Sequence, residues 1–256
     1  MGSPVNFIVF SHQRAGTTFF CNDVLSSHEG VFCFDELYNQ RGHQPTIEAL
    51  RKKNLPLLFS LRSKLEGKLL GTPQRYIRYH KRFVNGCQRS EEKSIIGFKL
   101  FHQHIPMVLL SEFLEKNQFK VIVLNRENLS QCAVSMYLSK FYRRRSSIDL
   151  GVDSSFTVSP EWCARWIANT RYNFMEGLRE IRTAGCSIHR ITYEDINSLG
   201  RVNEVFNFLG ATPIANLPKK GLKKLNTQSI YEKIKNLDQL ERSICNDYNG
   251  HLRTDA

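Results

Sequence analysis

The chain has no C-x-x-C pair among its seven cysteines (Cys21, Cys33, Cys87, Cys132, Cys163, Cys186 and Cys245), so a zinc site is not expected. The cysteines are scattered and odd in number, and several lie in apolar stretches. They read as reduced core residues in a cytoplasmic setting. No apolar run approaches the ~18 residues that span a bilayer, so no integral membrane segment is expected and the protein reads as soluble. No internal repeat, low-complexity tract or Gly/Ser linker interrupts the 256 residues. With 41% hydrophobic and 11% aromatic content, the length suits one sizeable core, and a single domain over 1–256 is expected. The triphosphatase loop G-x-x-x-x-G-K-S/T is also missing, as is a magnesium-binding aspartate after a strand.

What is present begins at Phe7–Phe20, FIVFSHQRAGTTFF. An apolar run (Phe7, Ile8, Val9, Phe10) stops at Ser11, and a polar turn with one glycine leads into a new apolar pattern. The pattern predicts a buried parallel strand, a tight loop and a helix start. Such a loop aims backbone N–H groups and the positive end of a helix at one point, which suits a phosphate. Gly16 permits close approach, Thr17 and Thr18 add hydroxyl donors, and Arg14 adds a fixed charge. A second segment, FKVIVLNRENLSQCAVS (Phe119–Ser135), repeats the logic. Arg126 stands just past the carboxyl end of a strand, where open α/β sheets bind ligands. Asn128 is placed to cap the next helix, and Ser135 lies about two turns into it. Two strand-end anion sites point to a ligand with phosphates at both ends.

Together, SHQRAGTT and LNRENLSQCAVS resemble the two cofactor motifs of sulfotransferases that use 3′-phosphoadenosine 5′-phosphosulfate (PAPS). The resemblance assigns Arg14, Ala15, Gly16, Thr17 and Thr18 to the 5′-phosphosulfate, and Arg126 and Ser135 to the 3′-phosphate. IIGFKLFHQH is similar to the family's central strand and its exit, and RITYEDI with VFNFLG to its late strand, tyrosine and helix. KKLNTQSIYEKIKN is similar to the closing segment of bacterial members. The resemblance implies a P-loop nucleoside triphosphate hydrolase-like sulfotransferase fold, with a central parallel β-sheet flanked by helices. It further implies contacts to the nucleotide from Tyr193, Lys223, Lys224 and Asn226. PAPS would be the donor and 3′,5′-bisphosphoadenosine (PAP) the product, with no metal required.

Charge is lopsided: 36 Lys and Arg against 24 Asp and Glu. Twelve basic residues crowd Arg51–Lys93, interleaved with Tyr76, Tyr79 and Phe83, and Tyr142–Arg145 is a second cluster. These read as a solvated helical surface or a channel for an anionic substrate. Nucleic acid is not the expected partner, since no DNA- or RNA-binding module accompanies the charge. The basic helical insertion at about 40–93 and the segment 142–160 are expected to build the acceptor site. Their basic and aromatic content suits a sugar, glycolipid, phenol or polar metabolite.

Periodicity predicts strands at 5–10, 31–34, 95–100, 119–124 and 187–191. It predicts helices at 17–27, 46–53, 57–66, 74–84, 106–116, 128–141, 160–184, 201–209 and 229–246. Their alternation implies a parallel sheet covered on both faces. Sulfuryl transfer would need cations at the leaving oxygen and a base for the acceptor proton. Arg14 and Lys99 are the candidate cations. Glu36, just after the second strand, is the first candidate base. Burial would raise its pKa toward a useful value, with nearby arginines opposing. His104 is the second candidate and His102 the third. The histidine pair has metal-ligand spacing, but no third ligand is evident. A kinase-like nucleotide enzyme and a non-catalytic polyanion binder are the alternatives.

Overall fold

The computed structural model describes residues 5–34, 36, 94–142, 155–218 and 231–244. The expected helices at 46–53, 57–66 and 74–84, and with them the basic insertion, lie outside the described residues, as do Lys223, Lys224 and Asn226. Five strands form one parallel sheet: β1 (Val5–Ser11), β2 (Val31–Phe34), β3 (Ile95–Phe101), β4 (Lys120–Asn125) and β5 (Ser187–Thr192). Their order is β2-β3-β1-β4-β5. The chain leaves β1 toward β2 on one side and later crosses to β4 on the other. The carboxyl ends of β1 and β4 therefore border the crevice where open α/β sheets take ligands.

Both faces of β1 are buried, which is why its sequence is continuous rather than alternating. Ile8 and Phe10 pack with Phe98, Leu100 and Val123 against α2 (Met107–Asn117) and α4 (Pro160–Thr183). Phe7 and Val9 pack on the opposite face with Ile122 and Leu124, under Phe20, Val24 and α5 (Leu199–Leu209). A third cluster joins α3 (Leu129–Phe141), α4 and α6 (Leu237–Ile244). Trp162 and Trp166 lie half-buried against it.

Gly97 sits opposite Phe7 in the β1–β3 register. A Cβ there would come within 2.4 Å of the Phe7 ring. Gly97→Ala is expected to cost about 1–3 kcal/mol by overpacking, read as a lower urea midpoint with unchanged slope.

Two helical expectations need correction. The expected helix at 17–27 is α-helical only over Thr17–Phe19 (α1), then a π turn over Phe20–Val24 and a 3-10 turn over Leu25–Ser27. Cys21, Asn22, Asp23 and Val24 are all poor helix formers, so little resists the wider winding. Of the last helix, expected at 229–246, residues 229–230 and 245–246 lie outside the described residues; Tyr231 and Leu237–Ile244 are helical, and the stretch between them is not. The residues before Leu237 are claimed by the 156–158 segment. Phe156 N donates to Lys233 O, and Lys235 N to Phe156 O. The Asn236 amide bonds both backbone groups of Val158.

Among the described residues no helix is long and apolar enough to cross a membrane. Cys21, Cys33, Cys132, Cys163 and Cys186 are free thiols, and the first four are buried.

Candidate functional site

The β1–β4 ladder ends at Ser11 and Leu124. Ser11 Oγ donates to the Leu124 carbonyl at 2.7 Å, clamping the two strand ends together. Past that point the backbone turns sharply. Arg14 has φ 69° and Gly16 φ 80°, both left-handed. A Cβ on Gly16 would fall 2.5 Å from the Tyr193 ring, so glycine is required there for conformation and for space. Ala15 and Thr17 are buried and Thr18 is exposed.

The two motifs meet in space. Arg14 Nε donates to Ser135 Oγ at 2.8 Å. Arg126 Nη1 donates to the Arg14 carbonyl at 3.4 Å, and Nη2 to Gln131 Oε1. The Arg126 guanidinium lies 4.3 Å above the Tyr193 ring. Asn128 caps α3 by accepting Gln131 N, as expected, and so aims the helix start at this crevice. Burial pulls the Arg14 pKa down, the buried Cys132 thiol opposes that, and the nearby Arg126 charge adds to the lowering. Among the described residues no carboxylate pairs with either guanidinium, and the buried Arg126 Nε has no hydrogen-bond partner. Two adjacent cations and an orphaned donor fit an anion with several oxygens, such as a phosphate.

One strand over lies a second group. Lys99 on β3 is 2% exposed, and its Nζ is 3.2 Å from Glu36 Oε1 and 3.4 Å from Thr18 Oγ1. His104 Nε2 is 3.5 Å from Glu36 Oε2. Burial pushes the Glu36 carboxyl up, but the His104 contact and the Lys99 charge outweigh it and hold the pKa at about 2. The opposition expected from arginines thus comes from Lys99 and His104. His104 Nδ1 accepts the Phe101 backbone N–H at 3.2 Å. A neutral ring therefore carries its proton on Nε2, the nitrogen that faces Glu36. Burial first, then the charges of His104 and His12, lower the His102 pKa to about 4. Among the described residues no three His, Cys, Asp or Glu side chains could hold a metal.

Arg14 reaches Ser135, and Lys99 is the cation in contact with Glu36 and the loop hydroxyl. Arg126 Nη1 against the Arg14 carbonyl brings the two motifs to one crevice. Three further contributors were not singled out in the sequence. Gln131 anchors Arg126, and the buried Cys132 donates to the Arg14 carbonyl. His12 bridges both loops. Arg126 precedes the α3 cap, and Gln131 in the first turn of α3 meets it at a spacing that no helix-face pattern marks.

No protein-family model matches the chain, and no curated protein does either. Solved structures do. A sulfotransferase from Alicyclobacillus acidocaldarius is 13% identical, with 98% of each chain covered and a TM-score of 0.47. The sulfotransferase domain from the curacin biosynthetic pathway is 16% identical over 94% of this chain and 87% of that one, TM-score 0.47. The sulfotransferase domain from the Synechococcus PCC 7002 olefin synthase is 15% identical over 100% of this chain and 91% of that one, TM-score 0.50. The last of these carries the likeness, which is one of fold: a parallel α/β sheet flanked by helices, as the sequence implied.

Proposed function

We propose that this chain is a PAPS-dependent sulfotransferase. The observation that supports it best is the convergence of Arg14, Arg126 and Ser135, with no carboxylate partner for either arginine among the described residues, beside a Lys99–Glu36–His104 cluster that touches the same loop. In this reading Arg126 and Ser135 hold the 3′-phosphate of the donor, with Lys223, Lys224, Asn226 and Tyr193 completing the nucleotide site. Ala15, Gly16, Thr17 and Thr18 offer N–H and hydroxyl donors to the 5′-phosphosulfate, and Arg14 lies between the two groups. The acceptor oxygen or nitrogen attacks sulfur as the bond from sulfur to the phosphate oxygen breaks. The acceptor proton passes to Glu36. Lys99 offsets the charge that grows on the departing oxygen, and PAP leaves. The acceptor is a sugar, a glycolipid or a small metabolite, bound by residues 40–93 and 142–160 of a single cytoplasmic domain.

A thermal-shift series with PAP, ATP plus magnesium, and heparin tests this. PAP at a hundred times its dissociation constant should add about 2.7 kcal/mol, and Arg126→Ala should abolish most of that gain. Stabilisation by ATP with magnesium alone would move the chain to a kinase-like activity, and by heparin alone to polyanion binding.

A further inference from the structure

We propose that His12 is a positioning residue that sets the spacing between the two anion-binding loops; its effect on ligand binding rests on the donor reading above. Main-chain pairing between β1 and β4 stops at Ser11 and Leu124. Arg126 N, two residues further on, has lost its strand partner. The His12 ring fills that place: its Nε2 accepts the Arg126 N–H at 3.3 Å. At the other nitrogen, Nδ1–H donates to the Gln13 carbonyl at 3.0 Å, which leaves Nε2 as the acceptor. The ring is thus a side-chain rung that continues the ladder past its end.

The rung is held firmly. His12 is 1% exposed, and its ring stands edge-on to Phe174 of α4, centroids 5.6 Å apart. Burial lowers its pKa, so the ring is neutral at neutral pH and the acceptor is available. The titratable groups that bear on it are Arg126 and His102. Arg14 follows His12 by two residues, and Arg126 is the residue that His12 grips. A change at His12 therefore alters the separation of the two guanidiniums without touching either.

Two substitutions separate positioning from mere packing. His12→Phe keeps the aromatic contact with Phe174 and removes the acceptor. His12→Gln can present an amide oxygen where Nε2 stood. A buried N–H left unpaired costs enough for roughly a tenfold loss. His12→Phe should weaken PAP by about that factor by calorimetry and raise the KM for PAPS, with little change in kcat. The Arg126 amide should exchange faster with deuterium. His12→Gln should restore both. If His12→Phe does not fold, His12→Asn, whose amide is too short to reach Arg126, replaces it in the comparison. Wild-type PAP affinity and unchanged Arg126 exchange in the acceptor-less variant would overturn the proposal, as would a glutamine variant no better than phenylalanine. Should the wild type itself not bind PAP, the donor reading fails, while the exchange measurement still decides the role of His12.

Discussion

Glu36→Gln is expected to lower sulfuryl transfer about a hundred- to ten-thousand-fold, the range for loss of a positioned general base. PAP should bind as tightly as to the wild type, or more so. The change is nearly isosteric and removes only the proton-accepting capacity and the charge. Lys99 then loses its ion pair with Glu36, so more of its positive charge is available to the nucleotide. The half-buried position of Glu36 keeps the expected structural cost small, and a matched thermal unfolding curve checks that. His104 is the competing base. Its Nε2 carries the proton of the neutral ring, because Nδ1 is taken by the Phe101 N–H, so it must first change tautomer to accept one. Near wild-type turnover in Glu36→Gln would show that it does, and would transfer the role to His104.

The sheet was legible because β1, β3 and β4 are buried on both faces and therefore read as unbroken apolar runs. Their ends fell within a residue of prediction. The Asn128 cap was legible too, as was the start of α4 at Pro160, because both are local chemistry. The π turn after Phe19 was not, since weak helix formers fix no particular winding. At the site, residue types were readable and directions were not. Arg14 stands next to a donor loop in sequence, yet its left-handed backbone turns the side chain toward Ser135, 121 residues away. Glu36, Lys99 and His104 were each visible as candidates. Their union depends on β2 and β3 being neighbours, which only the strand order settles. His12 was hidden for a different reason: its importance lies in a backbone N–H across the crevice, and such a partner has no sequence pattern.

Lys99→Met should lower kcat about a hundred- to a thousand-fold, comparable to losing one donor at a developing oxyanion. It should also move the acid limb of the kcat/KM profile upward by about 1–3 pH units, because that profile reports the free enzyme, in which Lys99 pairs with Glu36. The sign follows from what Lys99 does to Glu36. Burial alone would raise that carboxyl, and Lys99 and His104 reverse the effect, holding it at about 2 against an ordinary 4.5. A carboxylate of such low pKa is a weak base. In the proposed reaction the incoming sulfonate draws Lys99 toward itself and so releases Glu36 to a higher value. With methionine at 99 the free enzyme loses one of the two groups that hold the carboxyl low, leaving His104, so protonation disables it at a pH where the wild-type carboxylate is still ionised. The same linkage appears in stability. Glu36's contribution is present above pH 4.5 and is lost as pH falls through about 2, and in Lys99→Met much of it should vanish from urea titrations taken at mildly acidic pH. A variant with a small rate loss and an unmoved acid limb would mean that Lys99 neither meets the sulfonate nor tunes Glu36.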